Sequence, residues 1–379
     1  SDPRYRRVVA HVCYFAGRTP GPDLPPGAVQ VPLQDALRMQ PAFSFENIDV
    51  TAYPYAALPD DEPPCAALLR EWGPDDRGRL LDAAGQERLR CKAERLQFRM
   101  AVAGPDQAVY EALVAALGYK HNQAVCRELA QRVPLDRLQT AADGDPIRAY
   151  ALLLGVAGLL PSRLHPDWDG ETRAFVRRLW DHWWRMRSRW ERRILPPGSW
   201  ALSNLRPTNH PRRRLAAAAA LFSGGAAVLD RVRAVDTQDA RAWYRGVEDL
   251  LMRDSRLAYW MKRQALGGKP AARETRLVGP RRIAAMVSNV LVPFLAATGR
   301  DVGGLLPHLA PEQDNALTRR TAHALFGRDH NPALYRHGLR RQGLLQIFHD
   351  FCLTGPAGCQ SCRLVAALQE AGSPMQRNG

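Results

Sequence analysis

The sequence predicts a mainly α fold, a multi-helical body with a small β remnant at its N-terminal end. Three observations carry this. One strand-like run stands near the start, apolar residues recur at helical spacing from about Pro63 onward, and prolines and glycines fall where helices begin and end. The division expected from this texture is a proline-rich, strand-containing segment over residues 1–62 and a helical domain over residues 63–379.

Residues 7–15, from Arg7 through Val8, Val9, Ala10, His11, Val12 and Cys13 to Tyr14 and Phe15, are β-branched and aromatic, with Gly17 beyond. Both faces are largely apolar, as in a central strand covered on two sides. A second short strand fits residues 28–31, but Pro20, Pro22, Pro25, Pro26 and Pro32 leave little room for others, so the sheet reads as incomplete. Pro105-Asp106 opens a helix with Val109, Leu113 and Leu117 at four-residue spacing, closed by Gly118. Asp145-Pro146 reads as a cap followed by a first-turn proline, and that helix is expected to run to Leu160. Further helices are expected over residues 212–222, 283–297, 315–326 and 340–351.

The 379 residues carry 53 Lys+Arg against 38 Asp+Glu, a formal charge of +15, with 46% hydrophobic content. That composition excludes disorder, collagen and coiled coil. Only four of the basic residues are Lys, and the planar fork of Arg suits phosphate. A GC-rich coding bias explains Arg in place of Lys, but not the excess of positive charge. The longest apolar stretch, residues 283–298, is broken by Ser288, Asn289 and Pro293 and predicts no membrane span. No signal peptide is seen, and seven Cys, an odd number, fit a reducing cytoplasm better than a disulfide framework.

Residues 169–194 interleave tryptophans with arginines. At about 100° per residue, Phe175, Val176, Leu179, Trp180, Trp183, Trp184, Trp190 and Ile194 fall on one half of a helix. Arg178, Arg185, Arg189 and Arg192 fall on the other. The tryptophans are therefore expected in the core, and the arginines along a phosphate backbone or in solvent. Arg206, Asn209 and His210 lead into Pro211 and the run Arg212, Arg213, Arg214, where a helix start joined to concentrated positive charge predicts an anion site. A rigid structural corner is the competing reading.

Cys352, Cys359 and Cys362 give a Cys-x6-Cys-x2-Cys spacing, which suits zinc or an iron–sulfur centre with a fourth ligand from His349 or Cys65. Buried, unmetallated thiols are the alternative. No phosphate loop, nucleophile elbow or zinc-protease motif is present, and the clusters Asp60-Asp61-Glu62 and Asp75-Asp76 read as exposed loop charges.

Several stretches resemble a bacterial family catalogued as domain of unknown function 2851. They are Asp2-Pro3-Arg4-Tyr5 with Val8-Val9-Ala10-His11-Val12, Val109-Tyr110-Glu111-Ala112-Leu113 with Leu117-Gly118-Tyr119, and Leu154-Gly155-Val156-Ala157-Gly158-Leu159-Leu160-Pro161. Arg206-Pro207-Thr208-Asn209-His210-Pro211, Asn289-Val290-Leu291-Val292-Pro293-Phe294 and Gln342-Gly343-Leu344-Leu345 with the last three cysteines complete the set. The resemblance implies a further segment ahead of Ser1, similar to the metal-binding half of PD-(D/E)XK nucleases. It also implies that residues 8–15 belong to such a nuclease-like sheet, with His11 as a neighbour of the site. Metal-dependent nuclease activity is then expected only together with that upstream segment. The expectation is a cytoplasmic, nucleic-acid-associated protein without a membrane partner, against the alternative of a non-catalytic interaction or scaffold module. A glycosylase-like, base-handling protein is a third reading, suggested by the cysteine spacing alone.

Overall fold

The computed structural model describes residues 9–13, 27–33, 62–203, 205–224, 227–234, 239–254, 257–311, 316–327, 329–353, 359 and 361–372. The chain divides into two compact units, Ser1–Ser44 and Phe45–Gly379. In the first, β1 (Ala10–Cys13) and β2 (Val29–Pro32) pair in parallel, with Ala10 opposite Val29 and Val12 opposite Val31. The partner of β1 thus comes from the proline-rich stretch itself. Pro32 is tolerated because it stands last in β2, where the ladder ends. Val9, Val12 and Val29 are 80%, 58% and 62% exposed, which corrects the expectation of a strand covered on both faces. Val8, Tyr14, Phe15 and the side chain of His11 lie outside the described residues.

The second unit is helical. It begins with α1 (Pro64–Arg70), α2 (Pro74–Ala103), α3 (Pro105–Leu117), α4 (Tyr119–Arg132), α5 (Leu135–Ala142), α6 (Pro146–Val156) and α7 (Gly170–Trp190). It continues with α8 (Pro211–Phe222), α9 (Ala227–Ala234), α10 (Ala240–Asp254), α11 (Ala258–Met261), α12 (Pro280–Met286), α13 (Val292–Ala297), α14 (Ala316–Phe326), α15 (Gly338–Ile347) and α16 (Arg363–Gly372). Proline opens α1, α2, α3, α6, α8 and α12, where its missing N–H costs no helical bond. Asp75 and Asp76 occupy the first turn of α2 rather than a loop, a position that the helix dipole favours for carboxylates. Asp145 caps α6 by accepting from the Ile147 N–H at 2.8 Å. α6 stops at Val156, short of the expected Leu160, because Gly158 turns the chain at φ 67° and Leu159 N donates back to the Leu154 carbonyl at 3.0 Å.

The run expected over residues 283–297 is interrupted by a π turn, Val287–Leu291, immediately ahead of Pro293, which cannot donate to the carbonyl of Asn289. A second π turn, Phe348–Cys352, follows α15. The core is centred on α3, α6 and α8, whose residues are buried nearly all round. Against it packs α2, with α15 laid along its Gly78, Leu81 and Gly85 face. A Cβ on Gly85 would stand 2.3 Å from the Leu339 carbonyl oxygen, and one on Gly343 would stand 2.1 Å from that of Leu81, so here the two backbones touch. Asp82 accepts both Nε and Nη2 of Arg340 at 3.0 and 3.1 Å. Deeper in the same seam, Arg88 Nε and Lys92 Nζ each donate to Gln342 Oε1 at 2.8 Å, and Lys92 also donates to Asn289. Among the described residues no helix is long and apolar enough to cross a membrane.

Candidate functional site

The site is built on α7. Asp169 caps it through the Thr172 N–H at 2.7 Å, and Thr172, Val176, Leu179, Trp183 and Trp190 form its buried face. Trp183 fixes the helix against α6: a Cβ on Gly155 would stand 2.2 Å from its indole, so the ring sits in a notch that only glycine leaves open. Trp180 is half-buried and donates from Nε1 to the Pro161 carbonyl at 2.6 Å. Trp184 departs from the expected core placement. It is 59% exposed, with the Arg187 guanidinium 4.7 Å from its ring centroid.

The polar face of α7 forms one wall of a groove of about 860 Å³. Arg137 and Thr140 of α5 and Arg148 of α6 line it opposite His182, Arg185, Ser188 and Arg189 of α7, with Arg193 in the 3-10 turn that follows. Five arginines and one histidine line this space, and no carboxylate does. Two of the lining arginines have carboxylate partners that do not line the groove, Asp136 at 3.6 Å from Arg137 and Asp143 at 3.2 Å from Arg148, and Asp145 is 3.6 Å from Arg178. Arg193 donates to the Arg132 carbonyl at 2.9 Å. Arg185 and Arg189 have no hydrogen-bond or ion-pair partner among the described residues. His182 reports the local field. Its pKa lies below the ordinary value, first through burial and then through Arg178, Arg148 and Arg185, against the opposing pull of Asp145.

The helix start at Pro211 is different in kind. Arg213 is 1% exposed, and it donates to the carbonyls of Trp260 and Arg263 at 2.8 Å, to that of Arg276 at 2.9 Å and to Thr275 Oγ1 at 3.0 Å. Arg214 donates to the Leu277 carbonyl and to Asn209 Oδ1, and lies over the Tyr119 ring at 4.8 Å. Arg212 Nε donates to the Leu159 carbonyl at 2.9 Å, and His210 Nδ1 caps α8 by accepting from the Arg212 N–H at 3.2 Å. Burial lowers the pKa of all three arginines, that of Arg214 to about 10. The expected anion site is therefore corrected: the arginine run points inward onto backbone carbonyls, and of the six residues only Arg206 is exposed.

Cys352 ends the second π turn, while Cys359 and Cys362 share a turn before α16 in which Cys362 N donates to the Cys359 carbonyl at 3.3 Å. None of the three is in a disulfide with a described residue. Among the described residues no group of three or more His, Cys, Asp or Glu side chains is placed so that it could hold a metal ion. His349 is turned to Asp350, with Nδ1 at 2.5 Å from Oδ1.

Sequence reasoning placed Arg185 and Arg189 on the polar face of α7 but missed Arg137, Arg148, His182 and Arg193. The signal for two of these was present, since residues 182, 185, 189 and 193 recur on one helical face. The other two come from α5 and α6 and could be placed only by folding. A family model described as Protein of unknown function (DUF2851) matches residues 1–305. No curated protein and no solved structure matches the chain.

Proposed function

The chain belongs to the DUF2851 family of proteins of unknown function, and from that premise we propose that it is a nucleic-acid-associated protein that holds a phosphate backbone along the arginine groove of α7. The observation that carries this reading is a groove lined by five arginines and no carboxylate, in which Arg185 and Arg189 meet no partner among the described residues. One helical turn separates these two guanidiniums, about 6 Å along the axis, so they form a row rather than a point. Exposed Trp184 on the same helix supplies a flat apolar face for a base, a combination suited to single strands.

The test is a binding series with a single-stranded oligonucleotide across salt concentrations. Affinity should fall linearly on logarithmic axes as counterions are released. Arg185→Ala with Arg189→Ala should reduce the slope by about 1.4, two contacts at the single-strand value. A slope equal to that of the unaltered protein removes the groove from the reading. One observation favours the alternative of a protein-interaction module: a second hollow of about 520 Å³, lined in part by the apolar Tyr244, Pro280, Ile283 and Val287 of α10, α12 and the π turn. Binding of a protein there would survive salt that abolishes phosphate contacts.

A further inference from the structure

We propose that the hollow between α10 and α12 binds a small amphipathic anion, an alkyl or aryl body carrying one carboxylate or phosphate, with the body on an apolar floor and the head on arginines at the rim. α10 and α12 pack on each other. Arg241, Tyr244, Arg245 and Glu248 recur on α10 at positions i, i+3, i+4 and i+7, a single stripe of the helix. Pro280, Ile283, Ala284 and Val287 repeat that spacing from the start of α12, and Val287 opens the π turn. His308, Ala310 and Pro311, at the end of a 3-10 turn and just after it, complete the lining of the hollow, which measures about 520 Å³. It shares no residue with the groove of α7, so its failure and the failure of the nucleic-acid reading are separate outcomes.

The floor is apolar and fixed. Ile283 and Val287 line the hollow although both are buried, which places them at its base. Tyr244 donates its hydroxyl to the Leu305 carbonyl at 3.1 Å and meets the Trp243 ring edge-on. Its polar tip is thus already engaged, and what it offers a ligand is the ring. In the π turn, Asn289 donates to the Ala285 carbonyl at 2.9 Å and accepts from Lys92, which ties the floor to α2. A floor held in this way is ordered before a ligand arrives, which lowers the entropic cost of binding.

The rim is cationic. Arg241, Arg245 and Arg281 are exposed and make no hydrogen bond or ion pair among the described residues. Arg282, next to Arg281, is turned inward: its Nη1 donates to the Ala116 carbonyl at 3.1 Å and its guanidinium lies 3.4 Å from the Tyr119 ring centroid. Asp239, which caps α10, does not line the hollow but lies in the field of Arg245 and Arg241. Glu248 is the one carboxylate among the described lining residues, about 4.5 Å beyond Arg245 along the axis of α10. It repels a second negative group, so the charge of the ligand belongs at one end. Size narrows the occupant further. Twelve residues line the hollow, where a stable protein interface takes about 20–30 a side and small-molecule sites span about 300–1,000 Å³.

The experiment is isothermal titration calorimetry of the full chain with decanoate and with decyl phosphate, each below its micelle-forming concentration, beside decanol, acetate and inorganic phosphate. One saturable site is expected for both amphipathic anions. Decanol should bind at least about tenfold more weakly, and acetate and phosphate not measurably. Arg245→Ala with Arg281→Ala should weaken decanoate about tenfold or more through lost charge-assisted contacts, and leave decanol unchanged. Arg273→Ala with Arg300→Ala removes the same charge from exposed positions outside the hollow and should leave decanoate affinity as it was. Ala284→Phe fills the floor and should abolish binding of both anions; if that variant fails to fold, the Arg245 and Arg281 substitutions still decide. No saturable binding up to about 1 mM, equal affinity for decanol and decanoate, or decanoate affinity unchanged by the Arg245 and Arg281 substitutions would overturn the proposal. So would binding to anionic phospholipid vesicles without binding to either free amphiphile, which would put a membrane surface here instead.

Discussion

Two arginine-rich regions of this protein use the same side chain in opposite ways. At the start of α8, Arg213 and Arg214 are buried and their guanidiniums end on backbone carbonyls contributed by residues 260–277. Along α7, Arg185 and Arg189 stand in a groove with no acceptor among the described residues. In the first region the charge is spent on internal carbonyl dipoles, which satisfies a long irregular segment that has few backbone partners of its own. In the second it is left over for a ligand. Local charge density does not distinguish the two; the supply of acceptors does.

The largest expected effect sharpens this contrast on the structural side. Arg213→Ala strands several buried carbonyls at once and should destabilise the protein by about 3 kcal/mol or more in urea unfolding. A loss under about 1 kcal/mol would break the comparison. Arg185→Ala with Arg189→Ala, by contrast, should change stability by no more than about 0.5 kcal/mol while weakening oligonucleotide binding. Next in size, Trp184→Ala should cost about 1–3 kcal/mol of single-strand affinity, read by titration, with an unchanged thermal midpoint. Equal loss with a duplex ligand would argue against stacking.

The smallest effect is the pH response of His182. Because its folded pKa is depressed, the folded state binds fewer protons than the unfolded chain as pH falls, so this group's contribution is fully present above about pH 6.5 and declines below it. A phosphate placed among Arg148, Arg178 and Arg185 would oppose the field that lowers this pKa. Its NMR titration midpoint should therefore move upward on adding oligonucleotide, and affinity should rise as pH falls through that midpoint. No movement at saturating ligand would place the ligand elsewhere.

What could be read in sequence was what adjacent residues decide. The bounds of α3 between Pro105 and Leu117 and the Asp145 cap depend on local backbone chemistry, and both appear where spacing put them. The fate of Arg212–Arg214 was not legible, because its acceptors at Trp260, Arg263, Arg276 and Leu277 lie far along the chain. α2 gave no amphipathic signal for a further reason: Arg88 and Lys92 lie on its buried face beside Leu81 and Leu89, so polar and apolar residues share one side. Trp184 was misplaced because a half-helix division is wider than the stripe that α7 buries, and this ring falls at its edge. On α7 the arginine face was legible as a face, but the groove needed walls from α5 and α6.

The seam between α2 and α15 also sets a schedule. Asp82 and Arg340 are 258 positions apart, and the glycine surface of α2 has no substitute for its late partner. At ribosomal rates of about 5–20 residues per second, α2 emerges tens of seconds before α15 exists. For that interval its flat glycine strip and the buried ends of Arg88 and Lys92 face solvent or a chaperone. The helical unit can therefore close only after most of the chain has been synthesised, and a ribosome stalled before Gly338 would hold a chain whose longest helix is still unpaired on that side.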